Sequence, residues 1–65
     1  MKKQLQNKSE WRDGYDYACG ALIRFEETPN TITKKITEPI TAFDKGIKDA
    51  IHRLIYLKVI NDDRD

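Results

Sequence analysis

The feature that most constrains this chain is an apolar repeat between Pro39 and Ile60. Its members are spaced alternately by three and four residues, which places side chains on one stripe of an α-helix, whereas a strand would need alternation every two residues. The stripe consists of Ile40, Phe43, Ile47, Ala50, Leu54 and Leu57. Thr37 and Pro39 form a start signal, because threonine caps free amide groups and proline fits a first helical turn. We predict a helix from Thr37 to Ile60.

A second apolar line runs beside this stripe towards the end of the predicted helix. Ile51, Ile55 and Val59 follow one another at four-residue spacing, so the apolar arc becomes wider than one neighbouring helix covers. The chain has 65 residues, a length at which a single core is marginal and association commonly completes it. We therefore expect a homo-oligomer, with a dimer as the first choice, that buries these three residues between its subunits.

A matching apolar stripe lies earlier in the chain. Its members recur at steps of four, three, four and three residues. They are Trp11, Tyr15, Ala18, Leu22 and Phe25. Ser9 is a residue type that caps helices and Thr28 precedes a proline, so the predicted helix extends from Ser9 to Glu27. Because helices with matching stripes pair, the sequence predicts an all-α fold: an antiparallel two-helix hairpin in a single domain.

The connection between the two predicted helices is residues 28–37. Its threonines and isoleucines allow either an extended segment or a short helical turn with the isoleucines inward, and Pro29 directly after Thr28 favours the turn. Residues 1–8 form a basic tail and residues 61–65 an acidic tail, and both are expected to fray.

Small residues are concentrated on the first predicted helix. Gly14 and Ala18 leave room for a neighbour, and two interpretations stay open. Either a second helix approaches closely there, with a bulky ring such as that of Phe43 against the missing side chain, or the two small residues form the floor of a shallow pocket that stacks a planar ligand such as a nucleobase. The walls of that pocket would be Trp11, Tyr15 and Tyr17.

Charged residues make up 35% of the chain, yet the formal net charge is only +1. This mixture argues against a generally cationic nucleic-acid binder. One stripe of the second predicted helix is nevertheless basic and is a candidate for phosphate binding. It consists of Lys45, Lys48, His52 and Arg53. Asp44 and Asp49 interleave with this stripe and weaken its field.

Residues that could carry out covalent or metal chemistry are few. The single cysteine, Cys19, excludes an internal disulfide, and together with His52 it is too little for an intrachain zinc site. No spacing pairs Cys19 with a base, and no glycine-rich phosphate loop is present. We expect no enzyme activity, no metal and no cofactor. The first residues lack the apolar run of a secretory signal and no segment has the length of a membrane span, so we expect a cytoplasmic protein without membrane contact.

The opening from Ser9 to Ala18 has a Trp-x-x-Gly-Tyr-x-x-Ala rhythm and is followed by Glu26-Glu27-Thr28-Pro29. These motifs resemble the beginnings of small bacteriophage accessory proteins. The resemblance covers the first half of the chain and implies a class rich in small inhibitors of host enzymes and defence systems. It carries over no active-site residues.

From this resemblance we predict a non-enzymatic interaction protein that binds and inhibits or modulates a host protein in the host cytoplasm. Its predicted partner-binding residues are Trp11, Tyr15, Tyr17, Glu26 and Glu27. Two alternatives stay open. One is a nucleic-acid-binding regulator that uses the basic stripe, and the other is a module that sequesters a small nucleotide by stacking its base on Trp11 or Tyr15.

Overall fold

The computed structural model describes the backbone of residues 2–64 and the side chains of residues 8–64. Over that range the chain is all-helical, with α1 at Lys2–Ile23, α2 at Pro29–Lys34 and α3 at Ala42–Tyr56. α1 packs on α3. The predicted all-α class is confirmed, and so is the short helical turn in the connection. None of these three helices is long and apolar enough to cross a membrane.

α1 and α3 run in the same direction, so the predicted antiparallel hairpin is wrong. Trp11 in the first half of α1 lines one groove with Lys45 at the beginning of α3, whereas Leu22 at the end of α1 lines one pocket with Ile60, just after α3. Residues 24–41, which include α2, return the chain along α1 to the start of α3. Matching apolar stripes determine which helix faces meet, but they leave the relative direction open.

α2 begins as the sequence predicts. Thr28 is its N-cap, and the Thr28 Oγ1 accepts a hydrogen bond from the Thr31 N–H at 3.2 Å. The Thr31 hydroxyl in turn accepts a hydrogen bond from the Thr28 N–H at 2.9 Å. This reciprocal pair satisfies two amide groups that a helix start leaves without partners. The capping box thereby fixes the start of the short helix at Thr28.

α3 begins later than predicted, because Thr41 and not Thr37 caps it. The Asp44 N–H donates to the Thr41 Oγ1 at 3.1 Å, and the Thr41 N–H donates to the Asp44 Oδ2 at 3.1 Å. An acidic residue three positions after the cap completes this capping box, and no such residue stands three positions after Thr37. The peptide bond between Glu38 and Pro39 is cis and precedes the helix.

α1 begins at Lys2, so Ser9 lies inside the helix and is not its cap. Most of the predicted basic tail, residues 1–8, is therefore helical backbone; Met1 lies outside the described residues. In the predicted acidic tail, Asp63 accepts a hydrogen bond from the Asn30 N–H at 2.7 Å, at the start of α2. Negative charge is favourable at a helix start. Asp65 lies outside the described residues, and fraying at both ends stays a prediction.

α1 and α3 end in the same way. Each is followed by a residue with a left-handed backbone, Phe25 with φ 61° and Lys58 with φ 62°. The next amide group then donates to a carbonyl five residues earlier, at 2.9 Å in both cases. These bonds join Glu26 to Ala21 and Val59 to Leu54. This is the Schellman motif, in which glycine is usual because the left-handed conformation costs other residues about 1–2 kcal/mol. Both helices therefore stop before the predicted ends at Glu27 and Ile60.

α1 and α3 cross where each carries a glycine followed four residues later by an alanine, all four of them buried. They are Gly14 and Ala18 on α1, and Gly46 and Ala50 on α3. A Cβ on Gly14 would lie 2.8 Å from the carbonyl carbon of Phe43 and closer still to its oxygen, and one on Gly46 would lie 2.8 Å from the backbone nitrogen of Tyr15. The helix backbones are therefore in contact. Of the two open interpretations of Gly14, the close approach is correct, with the Phe43 backbone instead of its ring in the space.

The core is built from all three helices. Its buried members are Ala18, Leu22, Ile32, Ile47, Ala50, Ile51 and Leu54. Ile51 is 0% exposed within the single chain, because α2 brings Ile32 into the same cluster and covers the wide apolar arc of α3. Ile51 therefore has no surface to offer a second subunit, contrary to the predicted interface. Ile55 packs against the core and Val59 is half-exposed, so these two do not form a continuous edge with it.

Candidate functional site

A groove lies between the first half of α1 and the beginning of α3. Its volume is about 460 Å³. It is lined by Lys8 and Trp11 from α1, and by Ile40, Ala42 and Lys45 from the α3 side. We call this the basic groove. The lining combines two ammonium groups, an indole and two aliphatic side chains, so the groove offers both charge and apolar surface.

Trp11 is held in this groove by contacts on two sides. Its indole Nε1 donates a hydrogen bond to the Asp49 Oδ2 at 2.7 Å, which links α1 to α3. Its ring lies 5.0 Å from the Tyr15 ring, tilted by 30°. Both contacts restrict the rotation of the indole, so Trp11 presents a rigid apolar surface to the groove.

The two lysines of the basic groove form no ion pair with the carboxylates that the structure describes. Among the side chains of residues 8–64, ion pairs join Arg12 to Asp16, Arg24 to Glu26, Lys35 to Glu27 and Arg64 to Asp62. Neither Lys8 nor Lys45 belongs to this set, and both are exposed. Charges not neutralised within the chain remain available to attract an anionic partner.

The structure separates the predicted partner-binding residues into different places. Trp11 lies in the basic groove and Tyr15 packs against the core. Tyr17 is 44% exposed, and its ring lies 5.9 Å from that of Phe43. Glu26 and Glu27 follow the end of α1, and the helix between Trp11 and Ile23 alone is about 18 Å long. These five residues therefore lie in different surroundings along α1 and just after it, and their role in partner binding stays a prediction.

Glu26 and Glu27 already have partners within the chain. Arg24 hydrogen-bonds to Glu26 through two nitrogens, each at 3.1 Å, and this bond lowers the pKa of Glu26. Glu27 pairs with Lys35 and accepts a hydrogen bond from the Thr31 hydroxyl at 2.7 Å; the Lys35 bond is the larger cause of its lowered pKa. Glu27 thus contacts Thr31 of α2 and Glu26 contacts Arg24 just after α1, so a partner would have to compete with these groups for either carboxylate.

The predicted phosphate-binding stripe is exposed along its whole length on the solvent face of α3. Its members are Lys45, Lys48, His52 and Arg53. Only Lys45 also lines the basic groove. Asp49 lies within the same stretch, and its carboxylate is fixed there by the bond from Trp11. A negative charge is thus built into the middle of the basic stripe.

Cys19 lies half-buried on α1. Burial raises the pKa of its thiol above the ordinary value, and the neighbouring Asp16 carboxylate raises it further. A raised pKa keeps the thiol protonated and unreactive at neutral pH. Within the described residues no three His, Cys, Asp or Glu side chains are grouped so as to hold a metal ion.

Three groove residues were absent from the predicted site. Lys8 was placed in the basic tail, although it stands three residues before Trp11 and so shares its face once the helix extends past Ser9. Ile40 was placed in the stripe of the second helix, but it precedes α3 and is half-buried beside the groove. Ala42 carries no chemical signal of its own; only the fold brings it there.

Comparison of the chain with protein-family models, with curated proteins and with solved structures found no match. The resemblance to bacteriophage accessory proteins therefore stays a prediction, and the function is inferred from the geometry of the groove.

Proposed function

We propose that this protein is a small non-enzymatic interaction protein of phage type that inhibits or modulates a host protein by binding an acidic segment of it in the basic groove. The observation that supports this proposal is that Lys8 and Lys45, which line the basic groove together with Trp11, form no ion pair among the side chains of residues 8–64. Tryptophan is enriched among the residues that dominate binding energy in protein interfaces.

The chemistry of the groove specifies what such a segment would contain. Lys8 and Lys45 favour carboxylates, while Ile40 and Ala42 favour an apolar side chain between them. A volume of about 460 Å³ lies in the range typical of binding sites and accommodates more than one side chain. The matching ligand is an aromatic or aliphatic residue flanked by Asp or Glu.

Binding of a single nucleic-acid strand is the second candidate, because Lys48 continues the positive charge of the groove along α3. A phosphate backbone is charged at every nucleotide and would have to pass Asp49, which Trp11 holds at the groove. A peptide needs carboxylates only at its contacts with the two lysines. The protein partner is favoured for this reason.

The test is affinity capture from nuclease-treated host lysate. The bait proteins are the wild type, a groove variant with Lys8→Glu and Lys45→Glu, and a control with Lys34→Glu and Lys58→Glu, which has the same net charge and alters exposed lysines elsewhere. We expect the wild type and the control to retain the same host protein and the groove variant to lose it. Equal capture by all three baits would overturn the assignment of the groove.

A second measurement separates the protein ligand from the nucleic-acid ligand. Trp11 is the only tryptophan of the chain, so its fluorescence reports directly on the groove. We expect a peptide of alternating glutamate and phenylalanine to change the emission, and oligothymidylate or ATP at the same concentration to leave it unchanged. A response to oligothymidylate alone would replace the proposed function with the second candidate.

A further inference from the structure

A second pocket lies at the other end of the molecule, where α1 and α3 both terminate. Its volume is about 190 Å³, and Leu22, Pro29 and Ile60 contribute apolar surface to its lining. We call it the C-terminal pocket. A cavity of about 150 Å³ suffices to bind benzene, so this pocket has the size of a single side chain.

Two carboxylates line the C-terminal pocket, and they differ in whether a cation is paired with them. Glu27 pairs with Lys35. Asp63 forms no ion pair in the part of the chain whose side chains the structure describes. The guanidinium that follows it, that of Arg64, is bound to Asp62 instead, at 2.9 and 3.1 Å. A negative charge therefore remains at the pocket.

Hydrogen bonds hold the Asp63 carboxylate without removing its charge. The Asn30 N–H donates to its Oδ1 at 2.7 Å. A hydrogen bond from the Thr28 side chain, and then the one from Asn30, lower the pKa of Asp63, so the group is ionised at neutral pH. Both donors are uncharged, and a carboxylate has about four sites that accept hydrogen bonds. Asp63 is also exposed, so a cationic ligand can reach it.

Phe25 adds an aromatic ring to the lining of the same pocket, and this ring is 82% exposed. The backbone of Phe25 is left-handed, with φ 61°, at the point of the Schellman motif where glycine is usual. Neither backbone preference nor burial within the chain therefore explains an aromatic residue here. The face of an aromatic ring attracts a cation, and it does so most strongly for arginine and lysine side chains that lie over it.

We propose that the C-terminal pocket binds the arginine side chain of a peptide, with the guanidinium on Asp63 and Phe25 and the methylene groups on the apolar lining. Arginine fits better than lysine, because its planar group both stacks on a ring and forms two parallel hydrogen bonds to a carboxylate. Its aliphatic stem packs on apolar surface while the charge stays in solvent. The two lysines of the basic groove oppose the same ligand, so this site is independent of the proposed function.

The test is a titration of the ¹⁵N-labelled full chain, followed by the chemical shifts of its amide groups. One ligand is a short glycine peptide with a single arginine and both ends blocked. The other contains citrulline instead, whose neutral urea group has nearly the shape of a guanidinium. We expect the arginine peptide to shift the amides of Asn30 and Asn61, which lie at the pocket, and to bind about fivefold more tightly than the citrulline peptide, the upper range for an exposed ion pair.

Asp63→Asn removes the charge but keeps a side-chain oxygen that can accept the bond from the Asn30 N–H. The matched control is Asp13→Asn, which changes the net charge equally at an exposed position on α1 outside the pocket. We expect Asp63→Asn to bind the arginine peptide about fivefold more weakly and Asp13→Asn to bind it as the wild type does. Phe25→Leu keeps an apolar side chain without the ring and should weaken binding about threefold.

Three results would overturn the proposal. The first is the absence of any shift with the arginine peptide up to about 10 mM, a concentration at which even weak complexes form. The second is equal binding of the arginine and citrulline peptides by the wild type, a comparison that does not depend on how any variant folds. The third is shifts at Lys8 and Lys45 instead of at Asn30, because the ligand would then lie in the basic groove.

Discussion

Glycine is the expected residue both at the crossing of α1 and α3 and at the ends of these two helices. The chain has glycine at the crossing but other residues at the helix ends. At the crossing, Gly14 and Gly46 stand where an added Cβ would overlap the facing backbone. At the helix ends, Phe25 and Lys58 occupy the left-handed positions. The energetic cost of replacing glycine differs between the two places. A Cβ that overlaps the facing backbone is accommodated only if the helices move apart, whereas the left-handed conformation costs a bulky residue only about 1–2 kcal/mol.

This contrast separates residues imposed by the fold from residues that the fold merely tolerates. Nothing larger than glycine fits at positions 14 and 46 unless the helices move apart. At the helix ends the hydrogen bonds form with any residue, so the side chain is free to serve another purpose. Phe25, which is 82% exposed in a left-handed conformation, is the clearest example of a residue that the fold tolerates.

The largest expected effect is that of Gly14→Ala or Gly46→Ala. The new methyl group would lie within 2.8 Å of backbone atoms on the facing helix, and backbone cannot move aside as a side-chain tip can. Overpacking of this kind costs about 3 kcal/mol, a large share of the stability of so short a chain. Urea denaturation followed by circular dichroism should show either variant unfolded or strongly destabilised.

The third glycine, Gly20, provides the control. A Cβ there would lie 3.0 Å from the Arg24 Nη1, the end of a flexible and exposed side chain. Gly20→Ala should therefore keep or raise the stability by up to about 1 kcal/mol, since alanine favours a helix over glycine by that amount. If Gly14→Ala and Gly46→Ala were stabilised as Gly20→Ala is, helix propensity would outweigh the backbone overlap at the crossing, and this prediction would be wrong.

The sequence alone predicts the helical class, two of the three helix faces that form the core and the start of α2 at Thr28. These depend on local spacing and local caps. The direction of α3 and the burial of Ile51 depend on where α2 packs, which no periodicity within α3 reveals. Gly46 stands four residues before Ala50, as Gly14 stands before Ala18, and this matched pair was the available signal for the crossing.

The basic groove was predicted less well than the fold. Trp11 and Lys45 were both candidates, but for different sites, because Trp11 belongs to the first apolar stripe and Lys45 to the basic stripe of α3. They come together only when α1 and α3 run in the same direction. In an antiparallel hairpin the beginning of α3 would lie beside the end of α1, and no groove would join them.

Lys58→Gly should raise the stability moderately, whereas the alanine variants at the crossing lower it. Lys58 has φ 62° and an exposed side chain that belongs to no ion pair among residues 8–64. Glycine removes the strain of the left-handed backbone, and we expect a gain of about 1 kcal/mol in the free energy of unfolding. Alanine at the same position keeps the strain, so Lys58→Ala should give no comparable gain. Equal stabilisation by both substitutions would mean that the lysine side chain, and not the backbone, is unfavourable there.

Lowering the pH is expected to have the smallest effect on stability. It should weaken the helix-end region around α2 and residues 61–64 before it weakens the crossing. The hydrogen bonds from Arg64 lower the pKa of Asp62 to about 2, and hydrogen bonds from Thr28 and then Asn30 lower that of Asp63. A carboxylate whose pKa is lower in the folded than in the unfolded state stabilises the fold above its unfolded pKa, and this contribution is lost as the pH falls through the folded value. Stability should therefore be constant from pH 7 to about pH 5 and decline between about pH 4 and pH 2.

Apart from the hydrogen bond from Trp11 to Asp49, the crossing is held by backbone contact and apolar burial, which protonation does not change, so acid should loosen α2 and residues 61–64 first. Amide hydrogen exchange can resolve this order, with Asn30 at the acid-sensitive end and Ala18 at the crossing as reporters. Asp63→Ala should weaken protection at Asn30 already at pH 7 and make it less dependent on acid. Because these carboxylates are on the surface, salt at about 1 M should reduce the effect of acid. Exchange that accelerates at Ala18 as early as at Asn30 would instead show that the two regions unfold as one unit, and that the tail does not open separately from the crossing.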